Sequence, residues 1–115
     1  MVAPVRSRED FAALSRSRAR GSSGPIWVVH APAADDPEHP GARVAYAVSK
    51  KVGSAVVRNR LRRRLRPVMD DLDAAGALAP GGYLIGVRPD VVGLPAGELR
   101  RHLTGAVRSS TGVRT

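Results

Sequence analysis

The chain has 115 residues and no cysteine, with 43% hydrophobic and 25% charged residues, so it has room for one modest core and excludes a disulfide framework, a thiolate metal site and a cysteine nucleophile. Its 19 basic and 10 acidic residues give a formal net charge of +9, which attracts polyanions and makes nucleic acid the leading partner. The opening MVAPVRSRED lacks the apolar run of a signal peptide and no stretch approaches bilayer-spanning length, so the expectation is a soluble cytoplasmic protein.

In chain order, Ser7 is placed to cap a helix with Asp10 three residues on, and Phe11 and Leu14 then share one side of about three turns, until GSSGP (Gly21–Pro25) ends it. The β-branched run Ile26–His30 predicts a first strand, and PAADDPEHPG (Pro32–Gly41) has the composition of an exposed loop. Arg43–Ser49 predicts a second strand and Tyr83–Arg88 a third, introduced by the turn signal Pro80-Gly81-Gly82. Between these two strands, Val57, Leu61, Leu65, Val68 and Leu72 recur at helical steps behind a possible cap at Ser54, and Pro67 predicts a bend or break. Leu99, Leu103, Ala106 and Val107 mark a last helix entered near Pro95, followed by a polar tail over 109–115. The expectation is one domain over 1–115 with an ordered core of about 5–108, built as a small α+β sandwich of helices against a sheet.

The middle helix carries Arg58, Arg60, Arg62, Arg63, Arg64 and Arg66 around its apolar stripe, with no acidic residue interleaved at helical spacing. A solvated face normally mixes signs, so this mutual repulsion favours a surface that binds a polyanion, and guanidinium forks suit phosphate. Asn59 can reach a base edge or ribose hydroxyl or simply be solvated, and Lys50 and Lys51 add basic groups before a backbone bend at Gly53.

Other chemistry has little support. His30, His39 and His102 have no ligand spacing, and Asp35, Asp36 and Glu38 read as a soluble loop tip. Asp70, Asp71 and Asp73 read as charge compensation for nearby arginines. No serine, histidine and acid constellation emerges, so no catalytic residue, metal ligand or protein-bound cofactor is assigned.

VSKKVGSAVVRNRLRRRLR (Val48–Arg66) closely resembles the signature segment of the protein subunit of bacterial ribonuclease P, whose hallmark is the Arg-Asn-Arg triplet, here Arg58-Asn59-Arg60. SREDF (Ser7–Phe11) is similar to the family's first helix and YLIGVR (Tyr83–Arg88) to its last strand. The resemblance implies a four-stranded sheet with three helices and a left-handed βαβ crossover, a fold also found in a ribosomal protein of the small subunit. It implies an endonuclease whose RNA subunit holds the catalytic metal ions, with Mg2+ entering through RNA and substrate, and cuts precursor tRNA to give the mature 5′ end.

By the same resemblance, Lys50, Lys51, Arg58, Asn59, Arg60, Arg62, Arg63, Arg64 and Arg66 bind ribonuclease P RNA, while Phe11, His30 and Arg88 line a cleft for the single-stranded 5′ leader. Phe11 has an equal reading as a core anchor of the first helix. Ser15 and His30 stand where the family often has phenylalanine and tyrosine, which implies a poorer stacking surface, and Ser54 replaces a usual asparagine while keeping the ability to cap. The alternatives are a structural RNA-binding module, such as a ribosomal protein or RNA chaperone, and a DNA-binding helix, for which base-reading side chains are missing.

Overall fold

The computed structural model describes residues 2–32 and 41–111. In chain order these form β1 (Ala3–Pro4), α1 (Arg8–Arg16), β2 (Ala19–Ser23), β3 (Ile26–Pro32), β4 (Ala42–Ala47), α2 (Ala55–Ala74), β5 (Gly81–Val87) and α3 (Ala96–Ser110), with short 3-10 turns at Lys50–Val52 and Pro89–Gly93. The strands make one mixed sheet in the order β1-β4-β5-β3-β2. β4 and β5 run parallel with α2 between them, whereas β3 is antiparallel to both β5 and β2. Four strands were expected; the fifth is the two-residue β1, which pairs in parallel with β4 through Ala3 and Pro4.

Strand alternation divides the sheet into two faces. Ile26 and Val28 of β3, Tyr83, Ile85 and Val87 of β5 and Val44 of β4 share one core with Leu61, Leu65, Val68 and Met69 of α2 and Leu99, Leu103, Ala106 and Val107 of α3. The other face carries Val29 and Ala31, which join Val5 and Leu14 of α1 in a smaller cluster flanked by Trp27, Ala45 and Leu84. Helices therefore cover both faces, two on one side and one on the other.

The Ser7 cap forms as expected, its Oγ accepting from the Asp10 amide at 3.0 Å. The helix stops at Arg16, however, and Ala19–Ser23 is a strand that turns directly into β3. Gly21 explains why α3 can lie so close above β2: a Cβ there would fall 2.4 Å from the Ala106 carbonyl oxygen.

Of the bend or break expected at Pro67, the break does not occur: α2 continues through it as one helix. Pro67 and Arg63, whose carbonyl loses its partner, are both on the exposed side, where water can satisfy that carbonyl. α3 likewise continues to Ser110, which is buried and donates to the Val107 carbonyl at 2.7 Å, so the polar tail begins later than expected. The acidic loop tip with Asp35, Asp36, Glu38 and His39 lies outside the described residues.

Candidate nucleic-acid interface

Ser54 starts α2 by accepting the Val57 amide at 3.3 Å, and the buried Leu61, Leu65, Val68 and Met69 hold the helix against the sheet. Packing thus fixes which way the arginines point. Arg60, Arg63 and Arg66 are exposed, while Arg58, Arg62 and Arg64 are half-buried along the flanks. Arg64 donates to the Leu94 carbonyl, which ties α2 to the segment entering α3. Arg62 donates to Asn59 Oδ1 at 2.9 Å, so one role of Asn59 is to orient its neighbour one turn on. Lys50 and Lys51 are exposed in the 3-10 turn just before the helix.

The acidic end of α2 makes contacts beyond the helix. Asp71 pairs with Arg100 of α3 at 2.7 Å, and Asp70 accepts the Val2 amide at 2.8 Å. The expected compensation of nearby arginines is thus seen for Asp71, whose partner lies on α3, while Asp70 ties down the N-terminal segment. On one flank, Arg62, Arg66, Asp70 and Tyr46 line a cavity of about 480 Å³. Burial pushes the Tyr46 phenol up to about 12, with Asp70 adding and Arg66 opposing, so it remains a hydrogen-bond donor at neutral pH. Among the described residues no group of three or more His, Asp or Glu side chains could hold a metal ion.

On the opposite face, α1 is seated by Leu14 and by a forked ion pair: Arg43 Nε and Nη2 lie 2.8 and 3.0 Å from the two carboxylate oxygens of Asp10. Phe11 is 47% exposed, which excludes the core-anchor reading and leaves its ring available at the surface. Ser15 and Arg88 are exposed as well.

His30 does not join them. It is 4% exposed on the face packed by α2 and α3, its ring stacked on Tyr83 with centroids 4.5 Å apart and its Nε2 donating to the Pro80 carbonyl at 3.2 Å. A one-residue step along a strand exchanges faces, so Val29, not His30, looks towards α1.

The residue that sequence reasoning missed on the α1 face is Trp27. Its indole covers Gly86 of β5, the residue paired with it across the strands: a Cβ on Gly86 would meet Cε2 at 1.8 Å and Cζ2 at 1.9 Å. Trp27, Arg20 and Arg88 line a cavity of about 500 Å³ where β2 runs beneath the end of α3. A lone tryptophan opposite a glycine in a neighbouring strand was the available signal, but the pairing is visible only once the register is known.

Comparison with known proteins decides what this arrangement belongs to. The family model described as Ribonuclease P matches residues 3–110. The ribonuclease P protein component of Streptomyces avermitilis is 47% identical over 90 residues, covering 73% of this chain and 70% of that protein. The chain belongs to the ribonuclease P protein family. The component from Thermobifida fusca, another family member, is 38% identical over 113 residues, covering 93% of this chain and 75% of its own length.

Among solved ribonuclease P proteins, that of Staphylococcus aureus superposes with a TM-score of 0.72 at 16% identity, covering 99% of this chain and 100% of that one. That of Thermotoga maritima gives 0.71 at 19% identity, covering 87% and 90%. For a ribonuclease P protein the three helices and mixed sheet are the expected fold, with β2 to β5 as the four main strands and β1 as an added edge.

Proposed function

We propose that this chain is the protein subunit of ribonuclease P, that it docks on the RNA subunit through α2, and that it guides the 5′ leader of precursor tRNA across the α1 face of the sheet. The observation that carries the reading is the exposure of Arg60, Arg63 and Arg66 on a helix stretch with no acidic residue interleaved, leaving forked donors aimed at solvent. The bond-breaking step belongs to the RNA with its bound Mg2+, and the protein supplies binding and positioning. The same reading has the protein working in the cytoplasm alongside both RNAs.

At low, near-physiological magnesium, a bacterial ribonuclease P RNA alone cleaves precursor tRNA weakly, and adding this protein is expected to restore cleavage at the mature 5′ end. RNA binding without a gain in cleavage would favour a structural RNA-binding module instead. In the same assay Arg60→Ala is expected to raise the protein concentration needed for half-maximal stimulation while leaving the thermal unfolding midpoint unchanged.

A further inference from the structure

Trp27 is the chain's single tryptophan, and the structure fixes its ring before any ligand arrives. Gly86 lies directly beneath the indole, and Ser22 is its pairing partner on the other neighbouring strand. The ring remains partly exposed and forms one wall of the cavity of about 500 Å³ that also takes in Arg20 and Arg88. Both arginines are exposed, neither is ion-paired among the described residues, and no acidic side chain lines the cavity. Covering Gly86 explains the ring's orientation, but it does not explain two unpaired cations at its edge.

We propose that Trp27, Arg20 and Arg88 form a nucleotide subsite for single-stranded RNA, in which an unpaired base stacks on the indole and the adjoining phosphates meet the two guanidinium groups. The subsite rests on the leader-binding reading above and names where, at the β2 edge of the sheet, a leader base is held. Its volume falls within the range of roughly 300–1,000 Å³ usual for small-ligand pockets, enough for one nucleotide but not for a duplex. A duplex keeps its bases stacked on one another, whereas a single strand can offer a base to a ring. Ser15 is not aromatic and His30 is buried on the other face, so Trp27 adds to the exposed Phe11 a second ring on which a base can stack.

With one tryptophan, the intrinsic fluorescence of the full chain reports on this site directly. A single-stranded oligoribonucleotide is expected to quench and saturate the signal at low salt, while an abasic strand of equal charge binds without quenching. Binding of the unmodified strand without quenching, or equal quenching by the abasic strand, would overturn the subsite.

By anisotropy of a labelled strand, Trp27→Leu is expected to weaken binding on the order of tenfold while Trp27→Phe stays closer to the parent. Equal affinity for all three proteins would also overturn it. The holoenzyme cleavage assay separates the two readings: restored cleavage with no quenching removes the subsite and keeps the subunit role. Quenching with no gain in cleavage keeps the subsite and removes the role.

Discussion

His30 and Arg43 are buried polar side chains on opposite faces of the sheet, and each is matched differently. Arg43 donates from Nη2 to the Asp10 carboxylate and holds Nε 2.8 Å from its other oxygen, so its charge is compensated where it lies. For His30, burial holds the imidazole below its ordinary value of 6.5, and the hydrogen bond to the Pro80 carbonyl opposes this only in part. In the unfolded chain the ring takes a proton near 6.5, whereas in the folded chain it does so only at lower pH. The unfolded state therefore binds more protons in that window. Stability is full above 6.5 and falls as pH drops through it.

His30→Phe, which keeps a ring against Tyr83, is expected to flatten the part of the stability curve that lies just below about pH 6.5. Urea unfolding at a series of pH values measures it; an unchanged slope would mean that His30 does not set it. The side on which His30 lies was not legible from the sequence. Ile26–Ala31 is apolar at nearly every position, as a strand covered on both faces is, and no alternation marks which residues face α1.

At the scale of elements, hydrophobic spacing made α2, α3, β3, β4 and β5 legible, and the Ser7 and Ser54 caps were readable from residue type. β2 was not, because ARGSS offers no apolar residue larger than alanine; it is a strand because β3 pairs with it and because small side chains let α3 settle on top. That seat makes an opposed pair of predictions. Gly21→Ala drives a Cβ to 2.4 Å from backbone and is expected to destabilise the fold by about 1–3 kcal/mol. Gly105→Ala, in the middle of α3, meets Ser23 at an ordinary 3.5 Å and is expected to stabilise by about 0.5–1 kcal/mol through helix propensity. Chemical denaturation of both variants checks the sign of each. The continuity of α2 through Pro67 was hidden for a related reason: proline is tolerated there because the freed carbonyl lies on the exposed side, and that exposure is a tertiary fact.

Across the whole molecule, the net charge of +9 makes RNA affinity depend on salt, and two basic regions are set apart, one along α2 and one at the Trp27 cavity by the β2 edge of the sheet. Each phosphate contact removed lowers the steepness of log affinity against log salt by roughly 0.7–0.9. Arg60→Ala is expected to lower the slope for ribonuclease P RNA by about that amount. Filter binding from low to moderate salt gives the slope, and an unchanged value would place Arg60 away from phosphate.

The strand order has a further consequence, for the chain while it is being made. β3 and β4 follow one another in sequence but are not neighbours, because β5 lies between them and bonds to both. Until residues 81–87 have left the ribosome, the growing chain carries two strand edges with nothing to close them, and its sheet has no middle. The last strand synthesised joins the two halves, so a chain cut short before β5 is expected to aggregate, not to persist as a smaller folded unit.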